Sequence, residues 1–140
     1  MIRFTSDSIQ MPSLDTVRIQ RWIQKLASTH QKKSGNINYI FCSDQRILEV
    51  NQQFLQHDYF TDIITFDYSQ GMTVSGDLFI SLETVASNAE MLGVDYDEEL
   101  NRVLAHGVLH LCGFKDKTTE DAAIMRQEEQ KALSLLSTLY

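Results

Sequence analysis

His106 and His110 stand four residues apart in the stretch HGVLHLCGFKDK, and both are side chains that bind divalent metals. On a helix that separation puts two imidazoles about 40° apart on one face. Gly113 follows His110 by three residues, where it can take a left-handed conformation, end the helix and turn the chain back. Asp116 comes three residues later, so its carboxylate can swing round towards the same point. Zinc accepts carboxylate oxygen as well as imidazole nitrogen, and a catalytic site keeps a fourth position for water. The spacing nominates His106, His110 and Asp116 as ligands of a single Zn2+. The alternative for Asp116 is a turn residue before the next helix, a common use of aspartate.

The order H-x-x-x-H-x-x-G-x-x-ligand has the spacing of the metzincin zinc proteases. One element of that motif is missing. Where a protease places a glutamate as general base, this chain has Gly107. Gly107 is expected to leave open space beside the metal, which suits a bulky substrate. Glu99 lies two turns upstream on the face of His106, as an outer carboxylate of the site or as a solvated surface residue of the acidic run DYDEE.

The elements that must position these residues read as an α+β arrangement. Met1 to Thr5 is a strand candidate, and Leu14, Arg18, Trp22 and Leu26 recur at i+4, with Ile19 and Ile23 widening the stripe. Leu14 to His30 is therefore an amphipathic helix, with His30 at its C-terminal end. KKSGN reads as a turn before the strand INYIFC. Ser43 caps a helix running to about Leu55. TDIITFDY, from Thr61, and VSGDLFIS, from Val74, are two more strands around a glycine-containing turn, and Asp62 can also stabilise a turn. From Leu82 onward the pattern is helical, with stops at Gly93 and Gly113 and a last helix capped by Thr118 or Thr119. These elements imply a mixed sheet of about four strands packed with helices. The histidine helix is central, its Leu100, Leu104, Val108 and Leu111 docked against the sheet.

With 140 residues, 43% of them hydrophobic, the chain has the length and core of one domain spanning residues 1–140. No apolar run approaches the ~20 residues of a membrane span. The N-terminus is not a signal peptide, and Cys42 and Cys112 fit no metal or disulfide framework. Both cysteines suit buried sites in a reduced compartment, so a cytoplasmic location is expected. The net charge of −7 argues against a polyanionic partner, but its distribution is uneven. Residues 1–46 carry a net +4 and the remainder −11. Arg18, Arg21, Lys25, Lys32 and Lys33 can form a track for a phosphate backbone, or are ordinary solvated helix charges.

HGVLHLCGFKD resembles the HGxLHLxGxDH signature of the YbeY family of metal-dependent endoribonucleases. TDIITF, GDLFIS and EVNQQF resemble further motifs of that family, and the similarity runs from about Ile47 to Leu133. The resemblance implies zinc held by His106, His110 and position 116. It also implies cleavage of single-stranded RNA, with the small ribosomal subunit and its ribosomal RNA 3′ end as partners, and a part in ribosome quality control. Two departures stand out. Position 116 is Asp rather than a third His, and Leu55 stands where many relatives carry an arginine associated with cleavage. Arg102, Lys115 and Lys117 are the nearby cations that could contact phosphate in its place. His57, Asp58, Thr61 and Asp62 precede a strand expected to border the cleft, the last two as scaffold or outer groups. The expected chemistry is phosphodiester hydrolysis by a zinc-activated water, with no side chain assigned as catalytic. The competing readings are a metalloprotease-like hydrolase, disfavoured by Gly107, and a non-catalytic ribosome-assembly factor with a structural metal. No G-x-S-x-G or P-loop signature points to other chemistry.

Overall fold

A computed structural model of the chain describes residues 1–55 and 61–139, the side chain of Leu55 excepted. Strands β1 (Ile2–Ser6), β2 (Lys33–Cys42), β3 (Ile63–Asp67) and β4 (Thr73–Ser81) form one sheet in the order β1-β2-β4-β3. β1 and β4 both run parallel to β2, while β3 pairs antiparallel with β4, so the sheet is mixed. The helices are α1 (Thr16–Thr29), α2 (Asp44–Val50), α3 (Leu82–Leu92), α4 (Tyr96–Leu111) and α5 (Thr119–Ser137), and one π-helical turn, Asn51–Leu55, continues α2.

Alternation along the strands assigns the two faces. Ile37, Tyr39 and Phe41 of β2 and Leu78 and Ile80 of β4 belong to the main core, with Trp22, Ile23 and Leu26 of α1 and Leu100, Leu104 and Val108 of α4. Cys42, Ile64, Phe66 and Phe79 point the other way, into a smaller cluster closed by Ile47 and Val50 of α2. α4 lies on the larger face, where the buried Tyr39 hydroxyl donates to the Leu104 carbonyl at 2.9 Å. The pairings Tyr39↔Leu78 and Thr65↔Leu78 set one row across that face. Thr65 and Asp67 of the edge strand are thereby put on the side occupied by α4.

The caps follow the sequence. The Ser43 hydroxyl accepts from the Arg46 amide at 3.2 Å, and Thr118 rather than Thr119 caps α5 by accepting from the Asp121 amide at 3.0 Å. KKSGN departs from expectation. Its last four residues, from Lys33, open β2, and the reversal falls earlier, where Gln31 has φ 60°. Lys33 and Ser34 pair with Thr73 and Val74 before a bulge that ends at Ile37. A Cβ at Gly35 would lie 2.3 Å from the Ser75 hydroxyl oxygen, so the glycine is there for close approach inside a bulge.

Candidate metal centre

α4 follows the N-cap residue Asp95 and has Asp97, Glu98 and Glu99 in its first turn, where carboxylates suit the helix dipole. Its buried stripe of Leu100, Val103, Leu104, Val108 and Leu111 fixes the helix on the sheet. His106 and His110 therefore project from its margin, both half-buried, with ring centroids 5.0 Å apart and planes at 82°. Past Cys112 the Gly113 amide donates to the His110 carbonyl and the Phe114 amide to the Leu109 carbonyl, both at 3.0 Å. That pair of bonds is a Schellman stop, and Gly113 supplies the required positive φ, 109°. Phe114 then packs edge-on against His30, with centroids 5.0 Å apart. The chain returns with Asp116 facing both imidazoles. Its Oδ2 lies 3.2 Å from His106 Nε2, and its Oδ1 lies 3.6 Å from His110 Nε2.

One donor atom from each of these three residues falls within 4.8 Å of the others. Two imidazole nitrogens and one carboxylate oxygen so grouped are a donor set that could hold a divalent metal ion. The same three side chains line a cavity of about 490 Å3, with Asn51, Thr61, Asp62, Thr65, Asp67 and Lys117 among its other walls. The donor set and its setting fit a divalent ion with one side left open to substrate.

Behind His106 the site is closed by charge. Glu129, on α5 and 4% exposed, places Oε2 2.7 Å from His106 Nδ1. Arg102 contacts Glu129 Oε1 through Nη1 at 3.2 Å and grips Glu99 through Nε and Nη2 at 2.8 and 2.7 Å. Asp62 Oδ2 approaches the same guanidinium at 3.5 Å. Burial works against protonation of His106. The hydrogen bond and charge of Glu129, with Asp116 and Asp62, outweigh it and raise the imidazole above its ordinary value. His110 goes the other way, lowered by burial and by the neighbouring His106 charge against the pull of Asp116. Burial would raise Glu129, but His106 and Arg102 hold it below the usual carboxylate range. Asp62 is raised by burial, with Arg102 and His106 opposing.

Gly107 differs from expectation. It is buried between α4 and the sheet, where a Cβ would meet Ile63 Cδ1 at 3.0 Å and Leu78 Cδ1 at 3.1 Å. The position faces the sheet, and its missing side chain brings the histidine helix close rather than opening space beside the metal. Glu99 is likewise no solvated residue of an acidic run. It is 1% exposed and forms a two-point contact with Arg102. Arg102 sits at the site with its guanidinium held by three carboxylates. Lys117 lines the cavity, and Lys115 is exposed on the same loop. Arg18 donates to the Leu139 and Leu136 carbonyls at 3.0 and 2.8 Å, whereas Arg21 and Lys25 are exposed on α1. The cavity wall includes none of these three. His57, Asp58 and the side chain of Leu55 lie outside the described residues. The residue that sequence reasoning missed is Glu129. Its signal was a glutamate in the buried stripe Met125, Glu129, Ala132, Leu136 of an amphipathic helix.

The family model described as Endoribonuclease YbeY matches residues 2–137, well beyond the segment that carries the recognisable motifs. Endoribonuclease YbeY of Parabacteroides distasonis is 53% identical over 135 residues, 96% of this chain and 95% of its own. That of Bacteroides thetaiotaomicron is 52% identical over 134 residues, 96% of this chain and 98% of its own. The solution structure of a Thermotoga maritima protein superposes with a TM-score of 0.65 at 24% identity, covering 97% and 89% of the two chains. That last likeness concerns the fold alone.

Proposed function

The chain belongs to the YbeY family, and from that premise we propose that it is a single-strand-specific metallo-endoribonuclease. In this reading zinc is held by His106, His110 and Asp116, and the substrate is small-subunit ribosomal RNA near its 3′ end. The observation that carries it is the convergence of those three donors within 4.8 Å in the wall of an open cavity. The names of the relatives, which are endoribonucleases, support the reaction class.

When bound, the ion supplies Lewis-acid chemistry, making a water nucleophilic near neutral pH and drawing charge from a phosphoryl oxygen. The chain's own residues do the rest. Asp116 contributes one negative charge where a third imidazole would contribute none, so the loaded site is less cationic and a weaker Lewis acid than a three-histidine site. Lys117, in the same cavity wall, restores positive charge towards a phosphate. The edge strand β3 forms another wall through Ile63, Ile64 and Thr65. As the last strand in the sheet order among the described residues, β3 presents backbone groups along which an extended single strand can lie. Arg102 is committed to three carboxylates and serves the site from behind, leaving phosphate contact to the lysines. A protease reading loses support on geometry, because position 107 faces the packed sheet and a carboxylate there would not reach the cavity.

Elemental analysis of purified protein, followed by cleavage of labelled single-stranded and duplex RNA, tests the reading. Near-stoichiometric zinc is expected in the wild type, with loss in His110→Ala and Asp116→Ala. Cleavage should be confined to unpaired RNA and stopped by chelation. Zinc without cleavage, including on small subunits carrying precursor ribosomal RNA, would replace the nuclease with an assembly factor holding a structural metal. Full zinc in Asp116→Ala would return Asp116 to the role of a turn residue.

A further inference from the structure

Glu99, Arg102 and Glu129 form a charged cluster that the proposed reaction does not use directly, and its burial needs a reason. Glu99 and Glu129 are 1% and 4% exposed. Taking such groups out of water is costly, and well-packed apolar residues at the same positions would often be as stable or more so. Glu129 moreover occupies a core position in the stripe Met125, Ala132, Leu136, where leucine would be the ordinary choice. What leucine could not do is accept a hydrogen bond from His106 Nδ1, 2.7 Å away.

The two nitrogens of His106 face different partners. Nδ1 meets Glu129, and Nε2 points towards Asp116 at 3.2 Å. A carboxylate on Nδ1 keeps the proton there, so the lone pair is left on Nε2, the nitrogen aimed at the candidate ligand cluster. Arg102 holds Glu129 in place through its Nη1, and is itself fixed by Glu99 three residues back on α4. α5, which brings Glu129, is anchored independently. Trp22 of α1 donates its indole N–H to the Ala132 carbonyl at 2.8 Å, and Arg18 holds the Leu136 and Leu139 carbonyls.

We infer that Glu129 is the positioning residue of the metal centre, setting the tautomer and orientation of His106, with Arg102 and Glu99 as the clamp that holds it there. The inference deepens the proposed function and rests on its ligand set. It also gives Arg102 a task other than substrate contact. Among the described residues His110 has no such carboxylate behind it; its own support is a backbone hydrogen bond at Phe114.

The test is zinc affinity, by competition with a chromophoric chelator, in the wild type, Glu129→Ala, Glu129→Gln and Glu128→Gln. Loss of an outer partner of a ligating histidine costs roughly 10–100-fold in metal affinity. Glu129→Ala is expected in that range. Glu129→Gln, which can still accept from Nδ1 but carries no charge, is expected to lose less. Glu128→Gln alters the adjacent residue, which pairs with His30 and Lys131, and should bind as wild type does. Circular dichroism establishes that each variant is folded; if Glu129→Ala is not, the glutamine variant decides. Long-range proton–nitrogen correlation spectra of the zinc-loaded wild type should show His106 protonated at Nδ1, a signature that a purely structural role would not demand. Wild-type affinity in the folded Glu129 variants, an equal loss in Glu128→Gln, or a proton on His106 Nε2 would overturn the inference. No RNA enters these measurements, so a failure of cleavage alone would count against the proposed reaction and leave this result standing.

Discussion

The rear and the front of the candidate centre are built on opposite plans. Behind His106, four ionisable side chains, Asp62 just before β3, Glu99 and Arg102 of α4 and Glu129 of α5, are in mutual contact or nearly so, and Glu99 and Glu129 are almost sealed from water. In front, Asp116 and Lys117 are exposed on a loop, and the cavity is bounded by β3 at the end of the sheet order. The rear is sealed by its own ion pairs, while the front turns polar side chains towards an open cavity. Buried charge resists movement because each group is costly to leave unpaired, whereas an exposed loop can adjust to a substrate. Rigidity is therefore concentrated on the nitrogen that must not move.

The contrast can be broken most severely at Arg102. Arg102→Met leaves Glu99 and Glu129 buried without their cation, and removing one partner of a buried pair costs about 3–5 kcal/mol. Urea unfolding of the metal-free variant should show a loss of that order; a loss well below it would mean that water already screens the rear cluster.

A second, smaller effect is set by pH. Glu129 is held below its ordinary 4.5, so it contributes stability that is present above that value and is lost as pH falls through its folded value. His106 is raised above 6.5, so its contribution is complete below 6.5 and is lost as pH rises through its folded value. The metal-free protein should gain most from this pair between those limits. Thermal melts across pH should flatten in Glu129→Gln, and an unchanged profile would remove the pair as the cause.

Next is the seam between helix and sheet. Gly107→Ala presses a methyl against Ile63 and Leu78, at about 1–3 kcal/mol for overpacking, against a gain of about 1 kcal/mol in helix propensity. A net loss of about 1 kcal/mol is expected by denaturant titration, and a more stable variant would show that α4 can move off the sheet. The smallest effect belongs to the front. Lys117→Ala should weaken RNA binding with little sequence preference and lower the salt slope by about 1, measured by fluorescence anisotropy over a range of ionic strength. The same change at Lys115 should give a similar or smaller effect, because it is absent from the cavity wall.

What could be read from the sequence was what depends on neighbours along the chain. His106, His110, Gly113 and Asp116 lie in one helix and its terminator, so spacing alone brings them to one place. The caps at Ser43 and Thr118 are equally local. Lys33–Asn36 reads as a turn in isolation because its strand conformation is decided by Thr73 and Val74, some forty residues away, and by a bulge in which Gly35 comes close to Ser75. Gly107 looked like space beside a metal because nothing in HGVLH says that Leu78 and Ile63 press on that side. Glu129 lies 23 residues beyond His106, and Arg102 gave no sign of which acids would claim it. The fold class follows from periodicity and from the order of elements. The rear of the centre follows only from packing.

The three proposed ligands all lie between His106 and Asp116, within one short stretch of chain, whereas Glu129 joins them from another helix. Closing a loop that short has a small entropic cost, so the unfolded polypeptide retains some capacity to chelate zinc. Ligand-induced stabilisation depends on preferring the native state, and any affinity of the denatured ensemble subtracts from it. The rise in melting temperature on adding zinc would thus report less than the total binding free energy. It would measure what the folded environment adds to a chelating peptide, and the carboxylate delivered by α5 is a principal part of that addition.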